Sequence, residues 1–338
     1  MSDILNIGII GAGRIGKVHA ESLAYRVPGA RVRAIADINL AAAQQVAAQF
    51  GIPVATADYR VVLANPEIQA VLICSATDTH ARFTEEAAFA GKHIFCEKPI
   101  AHDLREIDAA LAAVAKAGVK LQIGFNRRFD ANFARVRQAI VTGEIGTPAL
   151  LHIISRDPGP PPVSYVKVSG GMFLDMTIHD FDMARFLIGA EVEEVYTLAG
   201  VTVDPAIGEA GDVDTAVVML KYSNGVIGTI DNCRRASYGY DQRVEVLGSK
   251  GAIATTNNYP NAATLSDGAS VRRDLPLNFF MDRYTESFAT EVAAFVDAAL
   301  HGKPVPVTGE DARESVVMGL AAIKSHREGR PVKLNEIG

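Results

Sequence analysis

The apolar run Ile4 to Ile10 leads directly into Gly11-Ala12-Gly13-Arg14-Ile15-Gly16, which sets three glycines at fixed spacing on the tip of a short strand. Each glycine has its own physical reason. The first permits a tight turn, the second lets the main chain approach a pyrophosphate, and the third lets the following helix pack closely on the strand. Backbone N–H groups at the start of that helix then face an anion. A second apolar run, Val32 to Ala36, ends in Asp37, about twenty residues beyond the last glycine, where such a unit carries an acid. Strand, turn, helix, strand and acid in this order predict a dinucleotide-binding unit. Asp37 favours NAD over NADP, because a carboxylate accepts hydrogen bonds from a ribose 2′-hydroxyl and repels a 2′-phosphate. Arg14 would weaken that preference by reaching across. Asp37 also suits the N-cap of a helix beginning at Leu40, and the two roles are compatible.

Through residue 122 the chain alternates short β-branched runs with Ala-rich amphipathic segments, the pattern of a parallel sheet covered by helices. Strands are predicted near 4–10, 31–36, 70–75, 93–96 and 120–125, with helices starting near Arg14, Leu40, Asp78 and Asp103. The connecting loops leave the carboxyl ends of strands, the edge on which doubly wound folds hold ligands, so Ser75, Thr77, His80, Glu97 and Lys98 become candidates. After about residue 150 the pattern changes. Ala216 to Tyr222, then Ser223-Asn224-Gly225, then Val226 to Ile230 predicts a hairpin with an Asn-Gly turn. A second hairpin is predicted from Val244 to Thr255, and Thr285 to Leu300 reads as a closing helix. The expected fold is an α/β dinucleotide-binding domain over residues 1–122, then an α+β domain over 123–338 in which parallel gives way to antiparallel pairing, its closing helices packing back on the first domain. The stretch Asp157-Pro158-Gly159-Pro160-Pro161-Pro162 is a stiff loop that either borders a ligand cleft or joins elements.

A chain of 338 residues, 49% hydrophobic, has room for about two domains with sizeable cores. A formal net charge of −6 without blocks of like charge gives no footprint for nucleic acid. The terminus Met1-Ser2-Asp3 lacks a basic or cleavable segment, and no apolar stretch reaches the length of a membrane span, so the expected location is the cytoplasm. Cys74, Cys96 and Cys233 are an odd number without metal-ligand spacing and read as buried free thiols.

Two clusters point to chemistry. In Cys96-Glu97-Lys98-Pro99 the proline confines the lysine backbone to extended conformations and permits a cis bond, so an amine can be aimed from a fixed turn; a plain surface Glu-Lys pair is the other reading. In Gly170-Gly171-Met172-Phe173-Leu174-Asp175-Met176-Thr177-Ile178-His179-Asp180-Phe181-Asp182, the residues Asp175, His179 and Asp182 fall at i, i+4 and i+7, which places them on one helix face. Phe173, Met176, Met183 and Phe186 surround them, so that face lines a cleft wall. A histidine oriented by a carboxylate suits general acid–base work. The same three residues could instead be structural or could ligate a metal, although metal sites normally gather more histidine or cysteine than this chain clusters. His19, His102, His152 and His326 are scattered, and no metal is expected.

Over essentially its whole length the chain resembles the glucose–fructose oxidoreductase and inositol dehydrogenase family: the GxGxxG turn, Glu97-Lys98-Pro99 and the glycine pair before Asp175-x-x-x-His179 occur in that family's order. Arg156-Asp157-Pro158, the proline run, Ser169-Gly170-Gly171 and Asp175 to Asp182 are most similar to its inositol 2-dehydrogenase branch. The resemblance implies NAD-dependent oxidation of a cyclic polyol, myo-inositol to its 2-keto product first among the options. Another inositol isomer, an aldose sugar, or a non-catalytic NAD-binding regulatory role are the alternatives. It also implies an α/β Rossmann domain followed by an α+β domain with a large open, mainly antiparallel sheet, and a homotetramer joined through those sheets. By the same carry-over, Lys98, Asp175 and His179 form the catalytic set, and Gly11, Gly13, Arg14, Ile15, Gly16, Asp37, Ser75, Thr77, His80, Glu97 and Lys98 hold NAD. Asn126, Arg127, Asp157, Tyr240 and Tyr284 join the catalytic three around the substrate.

Overall fold

The apolar runs of the first unit become strands buried on both faces. In the computed structural model, which describes residues 4–338, β1 (Leu5–Ile10), β2 (Ala30–Ala36), β3 (Val54–Thr56), β4 (Ala70–Ile73), β5 (His93–Cys96) and β6 (Leu121–Ile123) form a six-stranded parallel sheet in the order β3-β2-β1-β4-β5-β6. Met1-Ser2-Asp3, read above as lacking a leader, lies outside the described residues. Between the strands run α1 (Arg14–Tyr25), α2 (Leu40–Phe50), α3 (Tyr59–Ala64), α4 (Thr77–Phe89) and α5 (Leu104–Ala117). Strand order reverses between β1 and β4, the switch point outside whose carboxyl ends open α/β sheets bind ligands. β3 and α3 have no counterpart in the periodicity reading, being too short to show one. A 3₁₀ turn, Asn126–Phe129, closes this stretch.

The second unit begins with α6 (Ala131–Val141) and β7 (Pro148–Arg156), then passes through the short α7 (Val163–Val166) and a π-helical turn (Met172–Met176) into α8 (Ile178–Ile188). Next come β8 (Val192–Gly200), α9 (Pro205–Glu209), β9 (Thr215–Tyr222), β10 (Ile227–Cys233), β11 (Asp241–Gly248), β12 (Gly251–Ala254), β13 (Thr264–Ser266), β14 (Val271–Arg273) and α10 (Phe280–Arg283). Together with β15 (Val332–Lys333), a seven-stranded sheet runs in the order β12-β11-β7-β10-β9-β8-β15. It is mainly antiparallel as expected, with one parallel pair, β10 on β7. The β9–β10 hairpin departs from a two-residue Asn-Gly turn. Gly225 alone takes a positive φ (+87°), its N–H bonds Tyr222 O at 3.0 Å, and Tyr222 N–H bonds Val226 O at 3.1 Å. That is a three-residue loop with a glycine bulge, because the two-residue form needs positive φ at the asparagine too.

The chain divides into two compact units, residues 1–129 with 286–316, and residues 130–285 with 317–338. α11 (Thr285–His301) and the first part of α12 (Gly309–Glu328) thus belong mostly to the first unit. Val292, Phe295 and Val296 of α11 enter the core cluster built from Ile7, Ile9, Leu72 and Phe95 of the sheet and Ala20 and Leu23 of α1. Cys74 and Cys96 are buried free thiols as expected, whereas Cys233 is only half-buried. It is the last residue of β10, where the thiol is only partly covered. Among the described residues no helix is long and apolar enough to cross a membrane.

In the second unit the side chain of Asp241 is completely buried at the start of β11. Burial opposes its ionisation, but hydrogen bonds from Arg243, Tyr238 and Asn257 outweigh it and hold the carboxyl at about 2. A carboxyl depressed in the folded state contributes stability above its ordinary value of 3.8 and loses it as pH falls through about 2. Denaturant melts should therefore show unfolding free energy declining between about pH 4 and pH 2, and Asp241→Asn should flatten that part of the curve.

Candidate active site

At the tip of β1 there is no space for side chains. Gly11 has φ +108°, and a Cβ on it would stand 2.4 Å from the Cys74 carbonyl oxygen. A Cβ on Gly16, in the first turn of α1, would stand 2.0 Å from the Gly11 carbonyl oxygen. Gly13 differs from both. Its backbone (φ −69°, ψ −167°) is one that any residue adopts, and nothing lies within 4 Å of where its Cβ would be. Open space over Gly13 is what a closely approaching pyrophosphate requires. Gly13 is also the N-cap of α1, which has no capping side chain and no acid in its first turn, so no side chain competes with an anion for the positive end of the helix dipole. Ile15 is half-buried against the core, and Arg14 is exposed beside a hollow of about 230 Å³ lined also by Lys17, Gln45 and Gln49.

Asp37 follows β2 with its carboxylate turned to the glycine turn. Its Oδ2 accepts the Ala12 N–H at 2.7 Å, and its Oδ1 accepts the Asn39 N–H at 2.8 Å. It is not the helix cap. Asn39, next to Leu40, fills that position by accepting the Ala42 N–H at 3.3 Å. Asp37 lies too early in the chain for the first turn of α2, and its oxygens are drawn to the glycine turn instead.

The other strand-end candidates of the first unit gather on the same edge. Ser75 Oγ bonds Thr79 Oγ1 at 2.6 Å, and Thr77 opens α4. His80 is buried with both ring nitrogens committed to main chain, Nδ1 to Pro99 O at 2.8 Å and Nε2 to Ser75 O at 3.0 Å. It staples the loop after β4 to the loop after β5. Glu97 is bonded to His19 Nε2 at 2.7 Å, Lys98 is half-buried, and the Lys98–Pro99 peptide is cis. Asn126 and Arg127 are buried in the 3₁₀ turn after β6.

In the second unit the segment carrying Asp175, His179 and Asp182 is not one unbroken α-helix. A π-helical turn over Met172–Met176 carries Asp175, and α8 carries His179 and Asp182. Asp175 and His179 are half-buried, whereas Asp182 is fully buried. Asp180, also buried, accepts from Asn232 Nδ2 at 2.9 Å; Asn232 Nδ2 reaches Ser155 O at 3.3 Å, and Thr177 Oγ1 donates to Asn232 Oδ1 at 2.7 Å. This network ties the junction of π turn and α8 to β10 and β7. Asp175 is held from the other side: Tyr165 donates to its Oδ1 at 2.9 Å, and the buried Arg234 guanidinium lies 3.8 Å from its Oδ2 and 3.9 Å from Asp212 Oδ2. Asp212 in turn accepts the Met172 N–H, over Gly171 at φ +74°.

Tyr165, Arg234 and Asp212 escaped the sequence reading, because they come from three segments outside the Asp175–His179 motif and no spacing rule joins them to it. Asp157, half-buried at the end of β7, bonds through its main chain to Cys233 and Ala236. Tyr240 and Tyr284 form a buried edge-to-face pair with ring centres 6.0 Å apart.

A glycine turn open at its middle residue, an uncapped helix start and an acid at the end of the second strand fit a dinucleotide, so the first unit is the cofactor-binding part of an oxidoreductase. Residues 5–125 match the model of the oxidoreductase family with an NAD-binding Rossmann fold, and residues 133–254 match the GFO/IDH/MocA C-terminal domain. The chain belongs to this GFO/IDH/MocA family. It is 46% identical over 333 residues to a myo-inositol 2-dehydrogenase of Thermotoga maritima, covering 98% of this chain and 99% of the relative. It is also 46% identical over 330 residues to an inositol 2-dehydrogenase of Rhizobium meliloti, with 98% and 99% covered. The crystal structure of scyllo-inositol dehydrogenase from Lactobacillus casei, with bound NAD(H) and scyllo-inositol, superposes with a TM-score of 0.92 at 29% identity, covering 98% of this chain and all of that one.

Gly13 and Gly16 should separate on substitution. Gly13→Ala should melt within about 2 °C of the parent while weakening NAD about tenfold, roughly 1.4 kcal/mol. Gly16→Ala should cost about 1–3 kcal/mol of stability through overpacking and abolish binding. Melting curves and NAD titration by fluorescence read both.

Proposed function

We propose that this protein oxidises a secondary alcohol of a cyclic polyol, myo-inositol foremost, with NAD as hydride acceptor. The observation that carries the reading is a carboxylate, Asp175, pinned by Tyr165 and Arg234 in the turn just before the half-buried His179. Full-length likeness to inositol 2-dehydrogenases supports the choice of substrate. NAD, when bound, supplies the acceptor for the carbon-bound hydrogen. Gly11, Gly13, Arg14, Ile15, Gly16 and Asp37 would hold it, joined by Ser75, Thr77, His80, Glu97 and Lys98 from the strand-end loops.

His179 is assigned as the general base that takes the hydroxyl proton, and Asp175 as the group that orients its ring and favours the imidazolium. Lys98 is assigned to the reacting oxygen, where a fixed ammonium stabilises alkoxide character. Asn126, Arg127 and Asp157 are assigned to the polyol's other hydroxyls, and Tyr240 and Tyr284 to the wall of the site. A homotetramer in the cytoplasm is the expected form. Its support is the open face of the second unit's sheet, where Ile227, Leu150 and Leu247 stand side by side across β10, β7 and β11 and are exposed. Met219, Val217 and Leu198 extend that exposed apolar surface over β9 and β8.

NADH absorbance with myo-, scyllo- and chiro-inositol, glucose and galactose, with NAD or NADP, with and without a chelator, tests the reading. The expected result is a chelator-insensitive rate, highest with myo-inositol and NAD. His179→Ala should lower kcat by on the order of 10²- to 10⁴-fold with NAD affinity nearly unchanged, and Lys98→Met should lower kcat by about 10²- to 10³-fold. Near-parental turnover in His179→Ala would refute the assignment. Met219→Glu should reduce the sedimentation coefficient at matched concentration if the sheet face joins subunits, because a buried unpaired charge is costly at an interface.

A further inference from the structure

Beneath the Glu97-Lys98-Pro99 turn, the first unit buries three ionisable side chains from three distant segments. His19 of α1 and Glu291 of α11 are both 0% exposed, and Glu97 follows β5. Their nearest functional atoms all lie within 4.8 Å of one another. His19 Nε2 meets Glu97 Oε1 at 2.7 Å, while its ring is wedged edge-on against Phe95 and Phe288. Neither carboxyl oxygen of Glu291 has a hydrogen-bond partner, and neither does His19 Nδ1. Around the cluster stand the Cys74 and Cys96 thiols at the ends of β4 and β5, and Gln122 of β6, whose Nε2 donates to the Glu291 main-chain carbonyl at 2.8 Å. The Glu97 carboxylate also occupies the space over Gly124, where a Cβ would come within 2.9 Å of it.

A histidine with two carboxylates is a donor set that zinc accepts, yet the geometry argues for a proton. Two ligands each about 2.0–2.2 Å from a tetrahedral ion stand roughly 3.3 Å apart. The His19–Glu97 gap of 2.7 Å is that of a hydrogen bond. Two carboxylates this close in a dry interior do not both ionise. The deeper one keeps the proton: burial first, and the charge of Glu97 second, push the Glu291 carboxyl well above the usual carboxylate range.

We propose that His19 and Glu291 are positioning residues that hold Glu97 as the one anion of this buried cluster, and so fix the backbone from which Lys98 projects. Glu291 is then a neutral acid, a polar group that fills the floor without repelling Glu97. His19 supplies the donor that keeps the Glu97 carboxylate in place. The effect on turnover rests on the assignment of Lys98 to the reacting oxygen; the state of Glu291 does not.

Infrared difference spectra of the parent minus Glu291→Gln, without substrate, should contain the carbonyl band of a neutral carboxyl at neutral pH. Glu291→Gln, neutral and of the same shape, should keep kcat within about threefold, the weight of one hydrogen bond. His19→Phe keeps an aromatic ring but removes the donor. It should lower kcat by on the order of 10²-fold, as a 1 Å misplacement does, and shift the alkaline limb of the kcat–pH profile. Should His19→Phe not fold, His19→Gln takes its place and should show the same shift. Absence of the infrared band, stoichiometric zinc in the purified protein, or a histidine variant with parental kcat and pH profile would each overturn the proposal. Unchanged turnover in Lys98→Met, with the infrared band present, would instead fault the Lys98 assignment.

Discussion

Everything in the first unit hangs on the contact between the Gly16 α-carbon and the Gly11 carbonyl, and between Gly11 and the Cys74 carbonyl, where backbones touch with no side chain between them. That approach seats the start of α1 directly on the tips of β1 and β4, the two strands between which the sheet reverses its order. The helix dipole, the open space at Gly13 and the Asp37 carboxylate bonded to Ala12 all take their positions from it. A larger residue at either glycine would pry the helix from the sheet, and the anion site would go with it.

The second unit fixes its acid differently. Asp175 sits in a π turn, a local geometry that is held by neighbours and not by helix propensity. Tyr165 and Arg234 grip the carboxylate, Asp212 grips the start of the turn at Met172, and the Thr177-Asn232-Asp180 chain anchors the far end to the sheet. A carboxylate facing both a donor hydroxyl and a buried guanidinium has little freedom to wander. Orientation of a neighbouring imidazole is the kind of task that such rigidity serves.

Much of this was legible in the chain. The glycine turn, the strand-end loops and the two hairpins were marked by glycines and by hydrophobic period, which are local signals. What escaped was set by tertiary context. β3 and α3, at three and six residues, are too brief to carry a period. Asn39 took the cap because Asp37 was bound elsewhere, which no propensity reveals. The π turn breaks the continuous helix that the i, i+4, i+7 argument assumed. Tyr165 and Arg234 converge on Asp175, and Asp212 on the start of its turn, from separate segments, as His19 and Glu291 do on Glu97, and a spacing rule sees only one segment at a time.

The membership of residues 286–316 in the first unit bears on how a cell makes this protein. Val292, Phe295 and Val296 are needed to cover Ile9, Leu72 and Phe95, yet the ribosome delivers them only after residues 130–285, with six of the seven strands of the second sheet, have been threaded out. The nascent amino-terminal half must wait with one flank of its sheet bare, so the unit begun first in synthesis is the one finished late, and chaperone demand should concentrate on that interval.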